Sequence, residues 1–479
     1  MNENRIPDLI RIGEIPSEYG QTVHTDIIDP VTSSQTSARF TLNRVAGFLH
    51  SNSKITLGCV PQGAGISFYP LQVGIGQLIR EAHLRIGSQT ACSIQDFSSL
   101  HAYHSLFLTN ENNKEREQYL SQRAINHGWN YTDASDTDAQ AYSLDTGRNF
   151  NVAVGGAVGD FARELLPFQR HDATDADTRA DAPIYSIYLS DLFPFLKYNQ
   201  LPAFMIDEEI HIDLVFQDAT TNLADGAAQE CRRMCVNDAG ATTTAFDIDL
   251  TELKLVYDSI TYDGEIMRKY QEQNPVLSFS YVDYRLSKRT GDQAAFSNLT
   301  LPIGGNGRLV PKVIFGIQNN ANYLAKSLLN GDGVSFGSTE GNGNLTINLR
   351  YNDRFEFSID RSNSALLFHT TQQAEGQVPF ISRQEYSNEQ GVPANPAGGV
   401  VAITSGTFEG HAQNNTNEGL LANFNWNAIK PNRAERINNK GLDLIYKNTL
   451  DAGTYTLRCW IELLKVATIE NGKFNCYFA

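Results

Sequence analysis

Alternation of apolar and polar residues recurs in both halves of the chain, and it constrains the fold more than any other feature of the sequence. In residues 210–216 (Ile-His-Ile-Asp-Leu-Val-Phe), every second position from Ile210 onward is apolar. Successive side chains of a strand point to opposite faces of a sheet, so this pattern predicts a strand with one buried and one solvated face. Residues 344–351 and 354–360 repeat the pattern in the second half.

The end of the chain predicts one long strand. Its buried face is expected to consist of Tyr455, Leu457, Cys459, Ile461 and Leu463. The alternating residues are predicted to point away from the core, and they are Thr454, Thr456, Arg458 and Glu462.

Further strands are predicted throughout the chain, at residues 39–42, 81–86, 184–189, 279–286 and 309–317. Residues 246–250 and 253–257 alternate in opposite phases, which predicts a β-bulge between them. Helical signal is sparse. Residues 98–108 and 114–124 favour helices, and Ser190 is expected to cap a short helical turn.

Long polar segments separate the strands, at residues 126–160, 169–181, 217–244, 327–344 and 370–435. Loops of this length are uncommon in compact domains and usually have a function of their own. Because each half shows the same order of strands and insertions, we predict two similar β domains in tandem. The predicted divisions are an N-terminal arm at 1–20, a first domain at 21–257 and a second domain at 258–479.

Composition excludes several classes of protein. The 479 residues are 41% hydrophobic and only 19% charged, whereas a disordered chain has few apolar side chains to bury. The net charge of −16 argues against a surface that wraps nucleic acid, so we expect no direct sequence-specific nucleic-acid binding. Six cysteines are too few for a disulfide scaffold in a chain of this length. The first residues lack the order of a signal peptide, so we expect a soluble protein from a reducing compartment.

Possible catalytic or metal-binding motifs are weak when their context is considered. Ser335 lies in a Gly-x-Ser-x-Gly pattern, but the flanking glycine-rich sequence does not favour the strand and helix that expose a nucleophile. Cys231 and Cys235 lack a second ligand pair for structural zinc. His101 and His104 share one face of a predicted helix, where packing is the favoured interpretation over a shared metal.

An acidic segment contains Asp172, Asp175, Asp177 and Asp181 but lacks EF-hand spacing. A solvated loop is the favoured interpretation, with bound calcium as the alternative. The sequence therefore predicts no catalytic, cofactor-binding or metal-binding residue and no enzyme.

A central stretch resembles a known family. Residues 183–196 (Pro-Ile-Tyr-Ser-Ile-Tyr-Leu-Ser-Asp-Leu-Phe-Pro-Phe-Leu), the step Gln200-Leu-Pro202 and the strand at 210–216 follow one another. This order resembles a segment of double jelly-roll major capsid proteins of dsDNA viruses, as in polinton-like viruses, virophages and nucleo-cytoplasmic large DNA viruses. Residues 441–446 and 455–464 resemble the closing strands of the second jelly roll. The resemblance spans most of the chain, and its specific part is residues 183–216.

The resemblance implies an all-β fold of two tandem eight-stranded jelly rolls, with a few short helices and long tower loops at 126–181 and 370–435. It implies a homotrimer that forms a pseudo-hexameric capsomer of an icosahedral shell around a dsDNA genome. The implied partners are neighbouring capsomers, penton and minor capsid proteins and an internal membrane. Residues 1–20 mix aliphatic residues with both signs of charge, and we predict that they form an arm that ties the subunit to a neighbour or to inner-shell proteins, with a frayed terminus as the alternative. The implied location is the virion capsid, assembled in the host cytoplasm or nucleus.

Two other functions remain open from the sequence. Lectins and capsid proteins share jelly rolls, so a carbohydrate-binding β-sandwich protein or a glycosidase is the main alternative. Only three tryptophans are present to stack on sugars, and this disfavours that alternative. A minor vertex protein is the third hypothesis, but such proteins commonly need one jelly roll.

Overall fold

The computed structural model describes residues 21–43, 45–61, 66–67, 74–105, 140–142, 149–151, 171–172, 184–198, 200–217, 246–319, 346–351, 354–360, 422–425, 435–437, 441–447 and 454–479. The strands of the first half are β1 (Gln21–Ile28), β2 (Thr32–Ser33), β3 (Ser37–Leu42), β4 (Phe48–Leu49), β5 (Lys54–Leu57), β6 (Cys59–Pro61), β7 (Ile66–Ser67), β8 (Ile79–Ile86), β9 (Gln89–Gln95), β10 (Gln140–Tyr142), β11 (Asn149–Asn151), β12 (His171–Asp172), β13 (Tyr185–Tyr188), β14 (Ile210–Phe216), β15 (Phe246–Ile248) and β16 (Lys254–Tyr262). Those of the second half are β17 (Val276–Asp292), β18 (Leu299–Gly304), β19 (Leu309–Val310), β20 (Lys312–Asn319), β21 (Thr346–Tyr351), β22 (Arg354–Asp360), β23 (Ala422–Asn425), β24 (Glu435–Arg436), β25 (Leu442–Lys447), β26 (Thr454–Glu470) and β27 (Lys473–Phe478).

Helices are short in the described part of the chain. They are α1 (Phe97–Ser105), α2 (Leu189–Leu192), α3 (Pro194–Tyr198) and α4 (Gly264–Gln273), with 3₁₀ turns at Gly74–Leu78, Ala203–Met205 and Gln293–Phe296. Helix α4 lies between the strands of the two halves, and the Asp263 side chain caps it by accepting a hydrogen bond from the Glu265 N–H at 2.9 Å. None of the described helices is long and apolar enough to cross a membrane.

Each half contains two principal antiparallel sheets. In the first half the strand orders are β1-β16-β5-β13 and β2-β3-β14-β8-β9, and β4 also pairs with β16. In the second half they are β17-β26-β20-β23 and β18-β25-β21-β22, and β27 also pairs with β26. The remaining short strands form the pairs β6–β15, β7–β12, β10–β11 and β19–β24.

The two halves share one topology. Each half has eight principal strands among those described, numbered here from first to eighth in chain order. In the first half they are β1, β3, β5, β8, β9, β13, β14 and β16, and in the second half they are β17, β18, β20, β21, β22, β23, β25 and β26. In both halves one sheet has the order first, eighth, third, sixth, and the other has the order second, seventh, fourth, fifth. This is the strand order of a jelly roll. The predicted all-β fold of two tandem eight-stranded jelly rolls is confirmed.

Several sequence predictions are confirmed and others are corrected. Strand β14 alternates between buried and half-buried residues along its whole length, as its sequence predicts. The predicted strand at 309–317 is two strands, because Pro311 lies between β19 and β20 and has no N–H to donate. The segment 114–124 lies outside the described residues.

The β-bulge expected near residue 250 is wrong. Strands β15 and β16 belong to different sheets, and a turn separates them. The Asp249 side chain stabilises this turn by accepting a hydrogen bond from the Thr251 N–H at 3.0 Å.

Ser190 is not the cap of the following helical turn. Helix α2 begins at Leu189, and its N-cap is Tyr188, which makes no side-chain capping bond. The Leu189 N–H instead donates to the carbonyl oxygen of Ser53 at 2.7 Å, so a neighbouring loop supplies the acceptor.

The division into domains remains a prediction. Strand β16 continues past the predicted limit at residue 257 and pairs with β1 as far as Tyr262. The described strands therefore leave helix α4 as the segment that separates the two sets of sheets.

Candidate functional site: the joint between the two jelly rolls

The long strand β26 is buried on both sides, which corrects the prediction that its polar residues point away from the core. Leu457, Cys459 and Ile461 pack in the core of the second jelly roll. Arg458, on the opposite side of the strand, is also fully buried. The reason is that the first jelly roll packs against the β17–β26 pair, and we call this contact the joint.

The free edge of β9 is the part of the first jelly roll that the joint covers. Among the described strands β9 pairs only with β8, so its other edge would present unpaired backbone groups. Tyr281 of β17 donates its hydroxyl to the carbonyl oxygen of Ala91 at 2.7 Å. Trp460 of β26 donates its indole N–H to the carbonyl oxygen of Gln95 at 3.2 Å. Side chains of the second jelly roll thus take the place of a further strand.

A buried ion pair lies beside this edge. The Lys465 Nζ is 2.5 Å from the Asp283 Oδ2, and the two side chains are only 7% and 6% exposed. The Asp283 Oδ1 also accepts the Ser93 N–H at 3.1 Å, and Lys465 donates to the carbonyl oxygen of Ala91 at 3.2 Å. A buried ion pair is stable only when its remaining hydrogen-bonding groups are also satisfied, and here both jelly rolls contribute partners.

A second buried cluster centres on Asp96, which follows β9. Its carboxylate accepts a hydrogen bond from the Arg458 Nε and lies 3.7 Å from the Lys288 Nζ. The Ser99 hydroxyl donates to the Asp96 Oδ1 at 3.0 Å. Burial opposes ionisation of this carboxyl, but the charges of Arg458 and Lys288 outweigh it, so the pKa of Asp96 lies below its ordinary value of 3.8. Asp96 therefore carries a negative charge inside the joint at neutral pH.

Aromatic side chains fill the apolar part of the joint. Phe195 of α3 lies 5.3 Å from Phe279, 4.8 Å from Tyr281 and 6.2 Å from Phe474, measured between ring centroids. Burial of the Tyr281 hydroxyl raises its pKa far above the ordinary value. Each such aromatic pair contributes about 0.5–1.5 kcal/mol beyond the area it buries. Phe195 belongs to the first jelly roll and its three partners to the second, so one hydrophobic cluster spans both.

The turn between β26 and β27 completes the joint. The Asp207 N–H donates to the carbonyl oxygen of Gly472 at 2.8 Å, and the Phe474 N–H donates to the Glu208 Oε2 at 2.9 Å. Gly472 has a φ of +77°, and a Cβ added there would lie 2.0 Å from the Asp207 Oδ2. A residue with a side chain at this position must both adopt the left-handed conformation and displace Asp207.

Gly472→Ala is expected to destabilise the protein more than Gly307→Ala. Gly307 has a similar φ of +71°, but nothing lies within 4 Å of the position of an added Cβ. Both variants pay about 1 kcal/mol for placing alanine in the left-handed region, and only Gly472→Ala also loses the contact with Asp207. Urea unfolding of the two variants measures the difference, and equal losses would contradict the role of this turn in the joint.

Cys92, Cys459 and Cys476 are protonated near neutral pH. Burial raises the pKa of Cys92 and Cys459, and it also raises the pKa of the half-buried Cys476. A thiol needs a lowered pKa to act as a nucleophile near neutral pH, so these three residues have a packing role. Cys231 and Cys235 lie outside the described residues.

The two predicted histidines contact aromatic side chains. The His101 ring stacks on Phe97 with centroids 4.8 Å apart, and the His104 Nε2 lies 3.4 Å from the Tyr284 hydroxyl. Among the residues that the structure describes, no group of three or more His, Cys, Asp or Glu is placed to hold a metal. Asp172 lies in β12, whereas Ser335 and the other acids of the 172–181 segment lie outside the described residues.

A solved viral structure shares the fold of this chain. No family model and no curated protein matches the sequence. A chain of the Sputnik virophage structure solved by cryo-EM is similar with a TM-score of 0.52 and 13% identity, covering 96% of this chain and 89% of that one. PBCV-1 VP54 has a TM-score of 0.49 and 11% identity, with coverage of 96% and 97%. The Faustovirus major capsid protein has a TM-score of 0.48 and 8% identity, with coverage of 94% and 90%.

Proposed function

We propose that this chain is a major capsid protein and that three copies form a pseudo-hexameric capsomer of an icosahedral shell around a dsDNA genome. The observation that carries the proposal is the joint, which holds two jelly rolls of identical strand order together through buried ion pairs and a shared aromatic cluster. A shell must bear load without bending within its subunits, and an interface of this kind resists relative motion of the two domains. The fold shared with a chain of the Sputnik virophage supports the same function.

The net charge of the chain is more typical of a capsid shell than of a nucleic-acid-binding surface. A net charge of −16 favours a shell that encloses DNA without adhering to its phosphates. The proposed partners are neighbouring capsomers, penton and minor capsid proteins and an internal membrane, and the proposed location is the virion. The arm at 1–20 lies outside the described residues and remains a prediction, as do the tower loops, of which only short strands are described.

The glycosidase alternative gains no support from the buried acids of the joint. A glycosidase uses two carboxyl groups about 5–10 Å apart that face a cleft open to substrate. Asp96 and Asp283 are each buried and paired with a cation, Arg458 and Lys465 respectively. Both acids thus have a structural role in binding the two jelly rolls together.

Native mass tests the proposed assembly. The chain has a mass of 53.1 kDa, so we expect a species of three times that mass, about 159 kDa, in native mass spectrometry or light scattering. A stable monomer across the concentration range would contradict the capsomer and would favour the carbohydrate-binding alternative.

A further inference from the structure

Two arginines are held at the turn 305–308, which joins β18 to β19. Arg308 belongs to the turn, and its N–H donates to the carbonyl oxygen of Gly305 at 3.0 Å. Arg436 lies on β24, which pairs with β19, and its Nη1 donates to the carbonyl oxygen of Gly307 at 3.2 Å. One arginine is thus part of this turn and the other is bonded to it.

A third arginine lies at the start of the same turn. The Nη1 of Arg285, on β17, is 3.6 Å from the point where a Cβ added to Gly304 would lie. Burial of Arg308 and the nearby charge of Arg285 both lower the pKa of Arg308, so the two guanidinium groups are close enough to repel each other. We call Arg285, Arg308 and Arg436 the arginine cluster.

The arginine cluster lacks the carboxylates that accompany other arginines. Several arginines in the described part of the chain face a carboxylate, and the pairs are Arg39 and Arg85 with Asp213, Arg268 with Glu272, Arg350 with Asp443 and Arg458 with Asp96. Within the described residues, no aspartate or glutamate forms an ion pair with a member of the cluster. Because the chain has 54 acidic and only 38 basic residues, three cations gathered at one turn without such a partner indicate a site for an external anion.

Arg308 is positioned by an aromatic ring. Its Cζ lies 3.9 Å from the centroid of the Phe478 ring. The main chain holds this ring beside the turn, since the Leu309 N–H donates to the main-chain oxygen of Ala479 at 3.0 Å. A cation–π contact engages the charge of the guanidinium but provides no oxygen acceptor for its N–H groups, so these donors are available to a ligand. A side chain that is already positioned also loses less entropy when it binds.

We propose that the arginine cluster binds a phosphate-type oxyanion. A guanidinium presents its N–H donors in a fork that matches two oxygens of a phosphate or a carboxylate. Three such groups at one turn favour a tetrahedral ligand with two charges over a carboxylate, which has one charge and two oxygens in one plane. A bound anion also removes the repulsion between Arg285 and Arg308. The cluster lies within one chain, so this inference goes beyond the proposed capsomer and does not depend on it.

Titration calorimetry with sodium phosphate at constant ionic strength tests the site in the full chain. We expect wild type to bind phosphate saturably, and Arg285→Gln and Arg308→Gln to bind about tenfold more weakly or less, because each loses charge-assisted hydrogen bonds. Arg285→Gln leaves the contact between Arg308 and Phe478 intact, so it separates loss of the ligand from loss of that contact. Circular dichroism checks that the variants are folded.

Arg289→Gln is the matched control. Arg289 is an exposed arginine on the same face of β17 as Arg285, about 13 Å further along the strand. Its substitution changes the net charge by the same amount, but a solvated charge at that distance contributes little to binding. The affinity for phosphate should stay within about twofold of wild type.

Vesicles distinguish the two sources of such an oxyanion, which are a soluble phosphate and a phosphomonoester headgroup on a lipid surface. The protein is sedimented with phosphatidylcholine vesicles that contain or lack phosphatidic acid. Sedimentation that requires both phosphatidic acid and Arg285 would identify a headgroup as the ligand. Phosphate binding without sedimentation would identify a soluble phosphate.

Two results would overturn the inference. The first is a wild type that does not bind phosphate, or that binds it no more tightly than Arg285→Gln and Arg308→Gln. The second is acetate binding as tight as phosphate binding at the same ionic strength, since the cluster would then fit a carboxylate equally well. Either result leaves the proposed capsomer unaffected, because native mass tests that assembly separately.

Discussion

Asp96→Asn is expected to lower the free energy of unfolding by about 3–5 kcal/mol, because it leaves Arg458 buried without a compensating charge. Arg458 is 1% exposed, and Asp96 is its carboxylate partner in the joint. Asparagine has the shape of aspartate and tolerates the positive φ of 54° at this position, so the variant removes the charge with little other change. Urea unfolding followed by intrinsic fluorescence measures the loss.

Asp213→Asn is the matched control. Asp213 also accepts from two arginines, with its Oδ1 2.5 Å from the Arg39 Nε and its Oδ2 3.5 Å from the Arg85 Nη1. Both arginines are more than 40% exposed, so water solvates their charges when the Asp213 carboxylate is removed. The free energy of unfolding should therefore fall by at most about 1 kcal/mol. Equal losses in the two variants would contradict the special role of the joint. Adding Arg458→Met to Asp96→Asn should recover part of the stability, because no uncompensated guanidinium then remains.

The effect of Asp96→Asn is also expected to depend on pH. Folding lowers the pKa of Asp96 below its unfolded-state value of 3.8. The ionised Asp96 carboxylate therefore stabilises the folded protein fully when the pH is above 3.8, and this stabilisation is lost as the pH falls through the lower pKa of the folded state. The difference in stability between wild type and variant should stay constant above about pH 5 and narrow in stronger acid. A difference that grew on acidification would contradict the assigned direction of the shift.

Phe195→Ala is expected to cost about 3–5 kcal/mol and to uncouple the two jelly rolls. Phe195 is the residue of the first jelly roll around which Phe279, Tyr281 and Phe474 of the second are packed. Differential scanning calorimetry should show one cooperative transition for wild type and two separated transitions for the variant. The loss of three aromatic contacts across the joint is the physical reason.

Phe40→Ala controls for the general cost of a cavity. Phe40 is fully buried in β3, within the first jelly roll, and it lies on a strand that pairs with β14 and β2. Its removal should destabilise the protein by a similar amount without separating the transitions. Separation in both variants, or in neither, would show that Phe195 does not couple the two domains.

The sequence predicts individual strands well because each strand carries its own signal. The alternation of residues 210–216 is a local property, and β14 has both the predicted bounds and the predicted burial pattern. The same is true of the bounds of β22 at Arg354–Asp360. The pairing of strands is less accessible from these patterns, since partners are far apart in sequence and many registers satisfy the same alternation.

The joint could not be predicted from the pattern of β26 alone. In a strand with one solvated face, Arg458 fits the solvated side, and only packing of the first jelly roll reverses that interpretation. Asp96 lies 362 residues away, so no local signal connects the two side chains. Trp460 is one indication in the sequence, because this large apolar residue lies on the face of the strand that was predicted to be polar.

Turns that depend on one side chain were also missed. The opposite phases of β15 and β16 fit a bulge, but the two strands belong to different sheets, and the Thr251 N–H donates to the Asp249 side chain in the turn between them. Ser190 has the chemistry of a helix cap, but the carbonyl oxygen of Ser53 already accepts the first N–H of α2. In both cases the local structure involves a contact that the alternation of apolar and polar residues does not reveal.

The central claim is that two jelly rolls, held together by the joint, form the repeating unit of a closed capsomer. Electron cryo-microscopy of the purified protein tests this claim most directly. Class averages should show a particle with threefold symmetry and a ring of six similar lobes. Particles with two lobes, or with a twofold axis, would contradict the account.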